Sequence, residues 1–297
     1  MAASPPFSRV PSAPACTSCL YENRADPVLP QSSPRSRRLS AQMLGAAVVL
    51  TAVLVFTWPA AADFRAPVRV LILGNTIGSA WNAPSWTEQI GRSAGHALAV
   101  QASMYHYVES LAAQFSPTYK EKGLTAVRAG GWSFIILEEN PYEPVLRRDG
   151  FFQSVTRLAA EAKARGAETI LVEPFALDAG SVFYGEPRSG GSPERMQALL
   201  REACNLIAAR LGLRQARVGE AFAWMRAHYP EVILYENDKI HPSACGSFLE
   251  ACTLESVLDS GDAADRRWLP PRWVGAEQAQ KLREAASAAN QQKAASR

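Results

Sequence analysis

The chain has little that would mark a nucleic-acid or metal protein. Its formal net charge is only +3, and residues 1–40 hold five arginines against Glu22 and Asp26, so everything beyond them is neutral. A neutral body makes no global field to gather polyanions, and there is no compact Lys/Arg stripe with interleaved aromatics. Nucleic acid is therefore excluded as the expected partner. Five cysteines give no even set of pairs. Cys16 and Cys19 form a CxxC with no second ligand pair and no βαβ context, which reads as coincidence rather than redox or metal chemistry. Cys204 stands alone, and Cys245 and Cys252 are seven apart on one helical face, as small buried hydrophobes would be. His96, His106 and His228 lack Cys, His or carboxylate partners at ligand spacing. No metal is expected.

What is present begins with composition. At 297 residues, 47% hydrophobic and 20% charged, the chain is an ordinary globular one with enough length for a sizeable core. Residues 1–40 are rich in Pro, Ser and Ala without apolar periodicity and read as a disordered leader. Arg35, Arg37 and Arg38 then precede an apolar run over residues 43–58, and Pro59 is followed by Ala60, Ala61, Ala62 and Asp63. Residues 41–62 thus carry the parts of a signal peptide, with cleavage expected after Ala62. Their length, about 22 residues, also suits an uncleaved membrane anchor. Either way the protein is expected to be exported, periplasmic or extracellular, and to meet a membrane only through that segment.

Residues 63–260 read as the folded domain and 261–297 as a linker and polar C-terminal helix. Apolar runs at 68–73, 97–103, 133–137, 168–172 and 232–235 are the strand candidates, the first being a nearly unbroken VRVLIL. Helical patterns lie between them at 85–94, 120–129, 150–165, 193–211, 220–228 and 243–258, with a last one from 276 to about 291. In the helix at 193–211, Ser192 is the expected N-cap and Pro193 the first helical residue. The polar tail helix lacks a strong apolar face and is expected to be peripheral or frayed. Strands alternating with helices predict a three-layer α/β sandwich around a parallel sheet of about five strands.

In such a sheet ligands gather beyond the carboxyl ends of the strands. Strand one delivers Asn75 and Thr76, the strand at 133–137 delivers Glu138, Glu139 and Asn140, and the run at 232–235 leads to Asp238 and His241. An Asp three residues before a His reaches its Nδ1 through a local turn, fixing the tautomer so that Nε2 can act as a base. Ser79 and Ser85 lie off the strand-to-loop junction, and Ser85 is expected to cap the next helix. Trp81, Trp86, Tyr105, Tyr142 and Phe183 either line a sugar cleft or pack the core. Residues 180–191, rich in Gly and Ser, suggest a mobile loop over the site.

The ordered blocks VRVLILGNT, WSFIILEEN and YENDKIHPSACGSFLEAC resemble the SGNH/GDSL hydrolase superfamily, especially its secreted bacterial branch, over roughly residues 67–258. There the blocks read as a strand with Gly-Asn-Ser, a strand ending Leu-Gln, and Asp-x-x-His-Pro-Ser-x-x-Gly. The resemblance implies a flavodoxin-like sandwich, hydrolysis of small acyl esters of carbohydrates or lipids, and no metal or organic cofactor. It assigns Asp238 and His241 as the catalytic pair, with Thr76 in the nucleophile's place. Glu138 stands where glutamine is usual, and Glu109 lies in a segment (residues 108–111) that often lends an oxyanion N–H from a glycine. Threonine keeps a hydroxyl but its methyl stiffens χ1. An ionised Glu138 would repel an oxyanion, and only burial that kept it protonated would let it donate. Asn75 is either a replacement donor or the holder of the turn. Two functions follow: an esterase with a Thr-His-Asp arrangement, or a catalytically impaired module that binds an envelope glycan or a partner protein.

Overall fold

The computed structural model describes residues 66–104, 110–116, 123–259, 262–270 and 272–291. The leader and residues 41–62 lie outside them. Val70, Leu71, Ile72 and Leu73 are apolar in succession, so a strand made of them must be covered on both faces. Accordingly β1 (Val68–Gly74) is internal, between β2 (Leu98–Met104) and β3 (Phe134–Leu137), with β4 (Glu168–Val172) and β5 (Arg214–Ala216) beyond β3. The sheet order is β2-β1-β3-β4-β5, parallel throughout.

The two-residue period of a strand sends Val70, Ile72, Ile136, Ile170 and Val172 to one face and Leu71, Leu73, Ile135, Leu137 and Leu171 to the other. Helices α1 (Ala83–Ser93), α6 (Val218–His228), α7 (Ala244–Asp259) and α8 (Ala276–Gln291) cover the first face. Helices α2 (Leu124–Ala129), α4 (Arg148–Ala164) and α5 (Pro193–Leu211) cover the second, and α3 (Glu143–Leu146) is a single turn after β3. This is the expected flavodoxin-like three-layer sandwich. Among the described residues no helix is long and apolar enough to cross a membrane.

The expected capping of α5 is met: Ser192 Oγ accepts from Arg195 N, and Gly212 ends the helix at φ 67°. Three expectations are corrected. The fifth strand is not 232–235 but Arg214–Ala216, a half-polar edge strand with one neighbour that leaves no hydrophobic run to read. Val232, Leu234 and Tyr235 are buried while Ile233 is 73% exposed, and the segment makes only an isolated bridge, Tyr235 to Pro242. Ser85 does not cap α1; Asn82 holds the N-cap position, in the left-handed region at φ 63° and without a side-chain capping bond. Helix α8 is not peripheral: Ala279, Leu282, Ala285, Ala286 and Ala289 are buried in the core cluster with α6 and α7. Its apolar stripe is mostly alanine, faint in hydropathy but thin enough for close helix packing.

The Ser-x-x-Gly of the third block also has a physical reason. Ser243 Oγ accepts from Gly246 N at 3.3 Å and donates to Ile233 O at 2.7 Å, tying the start of α7 to the segment before residues 236–241. A Cβ on Gly246 would lie 2.3 Å from Leu234 O. Gly246→Ala should therefore destabilise the domain by about 1–3 kcal/mol. An unchanged melting temperature would show that this approach is not tight.

Candidate active site

Strands β1 and β3 are neighbours, Leu73 opposite Leu137, and Glu138 N extends the ladder to Leu73 O at 2.9 Å. The residues just beyond them therefore meet. Asn75 is buried, and its Oδ1 accepts from Ile77 N at 2.9 Å, closing the turn that carries Thr76. Thr76 is half-buried, and its hydroxyl makes no hydrogen bond among the described residues.

The loop between α6 and α7 brings Asp238 and His241 together. Asp238 Oδ2 lies 2.6 Å from His241 Nδ1, while Oδ1 accepts from Ile240 N at 3.0 Å and His241 N at 2.9 Å. Burial opposes the Asp238 charge, but the His241 bond and the two backbone donors outweigh it and hold the carboxyl below its usual range. The loop is braced by Glu236 N to His241 O (2.8 Å), by Lys239 at φ 65°, and by Lys239 Nζ to Asp178 Oδ2 at 2.9 Å. With Nδ1 facing a carboxylate, Nε2 is left as the base.

Glu138 is buried against the floor of the Thr76 turn: a Cβ on Gly78 would lie 1.8 Å from its Oε1, and one on Gly74 would lie 2.9 Å from Oε2. Its Oε2 has no hydrogen-bond partner, nor has either carboxyl oxygen of Glu250 on α7. Both side chains line a cavity of about 10 Å³ with Ile77, Val172 and Phe175, room for about one water. Burial pushes Glu138 up to about 8; burial, and then Glu138 itself, pushes Glu250 well up. Burial therefore favours the protonated form of Glu138, which has an O–H to donate, over a repelling carboxylate.

Glu139 is also buried and accepts from Leu111 N at 3.1 Å, so that backbone N–H is engaged. Glu109 lies outside the described residues, as do Tyr105 and His106. Asn140 reads in the sequence only as a strand-end residue, without a role. It is buried, its Oδ1 accepts from Tyr142 N at 3.0 Å and Glu143 N at 3.2 Å, and its NH2 group is free among the described residues. Asn75 is held the same way, so two side-chain amides on adjacent strand ends keep free donors. An Asn three residues past a strand and just before Pro141 was the available signal. The aromatics divide: Trp86 packs on Trp268 near the core, Tyr142 meets Phe183 edge-on at 4.7 Å, and Trp81 is 38% exposed. Residues 182–189 form two short 3-10 turns.

His96 does have carboxylate partners. Its Nδ1 is 3.5 Å from Glu255 and its Nε2 3.0 Å from Asp259, brought close by the packing of α1 on α7. These three could each offer a metal ligand. Arg266, however, takes the other oxygen of both carboxylates, which makes the group an ion-pair network.

No protein-family model matches the chain, and no curated protein does. A DUF4886 family protein from Bacteroides uniformis superposes with a TM-score of 0.66 at 14% identity, over 76% of this chain and 95% of that one. A protein from Slackia heliotrinireducens classed as an SGNH hydrolase superposes with a TM-score of 0.56 at 27% identity, over 65% of this chain and 99% of its own. The chain has the fold of the SGNH/GDSL hydrolases. Where the resemblance to those hydrolases places a glutamine, this chain carries Glu138, a buried acid whose protonated form burial favours.

That acid has a thermodynamic signature. An ordinary glutamate loses its proton near 4.5, whereas folded Glu138 keeps it to about 8. Its contribution to stability is full below about 4.5 and is lost as pH rises through 8, because over that range only the native state binds the proton. Glu138→Gln removes this titration. From pH 5 to pH 8 the melting temperature of the variant should gain roughly 7–14 °C on wild type. Parallel pH profiles would mean that Glu138 is ionised in the fold.

Proposed function

We propose that the domain hydrolyses small acyl esters with Thr76 as nucleophile, His241 as general base and Asp238 as the group that orients the imidazole. The observation that carries the reading is the Asp238–His241 contact of 2.6 Å, made by a carboxylate whose other oxygen is fixed by two backbone N–H groups. Such a carboxylate sets the tautomer and stabilises the imidazolium that forms.

In the reaction Thr76 Oγ1 bonds to the ester carbonyl carbon as its proton passes to His241 Nε2. The oxyanion takes hydrogen bonds from the free amides of Asn75 and Asn140, with Glu138 neutral beneath the turn rather than repelling it. The C–O bond to the alcohol then breaks, and the alcohol leaves with the proton from Nε2. Water, giving its proton to Nε2, attacks the acyl-threonine; the acid is released and Oγ1 regains its proton. Thr76 must rotate or move toward His241 on substrate binding, since no hydrogen bond joins them now.

Assayed on nitrophenyl acetate and acetylated sugars, His241→Ala and Thr76→Ala should each lose roughly 1,000-fold or more in kcat, and Thr76→Ser should retain or raise activity. Equal rates for wild type and His241→Ala would remove the proposal. A second reading, a non-catalytic glycan-binding or partner-binding relative, is favoured by the unbonded Thr76 hydroxyl and the engaged Leu111 N–H. It requires Thr76→Ser to be inactive unless Glu138→Gln and a glycine near Glu109 are added.

The reading includes export. Arg35, Arg37 and Arg38 before residues 43–58, with Ala60, Ala61 and Ala62 after them, support a signal peptide. N-terminal sequencing of the exported protein should begin at Asp63; retention of residues 41–62 indicates the anchor.

A further inference from the structure

Four non-glycine residues of the described chain have positive φ: Trp81 (50°), Asn82 (63°), Lys239 (65°) and Arg272 (69°). L-residues with large side chains enter that region rarely, and such positions gather where a surface has a task. These four lie on three segments far apart in sequence: the turn after Thr76, the Asp238–His241 loop, and the stretch between α7 and α8. The segments meet. Trp81 Nε1 donates to Glu236 Oε1 at 2.8 Å, and the Trp81 ring meets Trp273, next to Arg272, with centroids 4.9 Å apart and planes at 61°.

Two indoles at this angle form an open corner rather than a closed stack. Trp81 is 38% exposed and Trp273 is 53% exposed, although each could bury much apolar area. Trp81 is five residues past Thr76 and Glu236 is two before Asp238, so the corner adjoins both halves of the proposed catalytic group. Its rim is polar: the Glu236 carboxylate lies at the edge of Trp81, and Asn82 and Arg272 flank the two rings in sequence.

We propose that the Trp81–Trp273 corner is a subsite for a sugar ring, the alcohol part of an acylated saccharide. This deepens the esterase reading and rests on it for the acyl part alone. A pyranose has one face of C–H bonds, which packs on an indole face, and a circumference of hydroxyls, which a carboxylate, an amide and a guanidinium can bind. An acyl chain has no use for that rim, and seating it there would desolvate Glu236 without compensation. The strained backbone of both tryptophan segments is the expected mark of rings held in place before the ligand arrives.

Trp273 is the better probe, since it makes no hydrogen bond that its loss would leave broken. Two measurements test the subsite. In the first, the ratio of kcat/KM on an acetylated xylo-oligosaccharide to that on nitrophenyl acetate is compared in wild type, Trp273→Ala and Trp273→Phe. The alanine variant should lower the ratio about tenfold, chiefly through KM, and phenylalanine should restore part of it. In the second, calorimetry follows xylohexaose, cellohexaose and chitohexaose binding to the His241→Ala protein with and without Trp273→Ala. Loss of binding with Trp273→Ala supports the subsite even if no ester is hydrolysed, in which case only the esterase reading fails. Hydrolysis with an unchanged ratio, no binding of any oligosaccharide, or an effect confined to nitrophenyl octanoate against acetate would overturn the subsite and leave the esterase reading standing.

Discussion

From Cys245 to Leu258 every residue of α7 is buried, and the helix begins three residues after His241. A helix enclosed on all sides has no freedom to slide, so the short loop that feeds it inherits its position. Ser243 ties the start of α7 to Ile233, and Gly246 lets the helix press on Leu234 O. Asp238 and His241 hang from this junction. They are partly exposed themselves, at 46% and 33% of their side chains, yet they rest on the most buried element of the domain. This division is the one expected of a working site: mobile enough to meet substrate, anchored enough to keep its geometry.

The carboxyl ends of β3 and β4 carry Glu138, Glu139 and Glu173, all buried and all with raised proton affinity, and α7 adds Glu250. Burial is the first cause in every case. Charged together at that depth they would repel one another and lack solvent, so burial favours the protonated forms of Glu138 and Glu250. For the proposed oxyanion site this matters, because a protonated acid beneath the turn differs little in charge from an amide.

Much of the fold was legible because unbroken apolar runs and helical stripes declare themselves: β1, β4, α5 and the Asp-x-x-His turn all stand where their residues suggest. What could not be read had weak or contrary local signals. Arg214–Ala216 pairs with one strand and carries two polar residues; 232–235 has a strand's composition but no sheet edge to join. The alanine stripe of α8 is too faint to separate a packed helix from a frayed one. His96 meets Glu255 and Asp259 only through the packing of α1 on α7, which no spacing reveals. The state of Glu138 was posed by the sequence as a condition on burial, and burial is a tertiary property. Asn140 reads only as a strand-end residue because its value lies in which end of its amide is used.

The short β5 strand has one more consequence. A parallel sheet ends with unpaired backbone groups, and a long flat rim invites another chain to add a strand. Here the rim is three residues long, and Arg214 at its start pairs with Glu168 at 3.0 Å while its guanidinium lies over the Phe134 ring at 5.8 Å. A stranger docking there would find few hydrogen bonds to make and a fixed positive charge in the way. The feature hardest to see in the sequence is thus the one that keeps neighbouring copies from growing onto this side of the sheet.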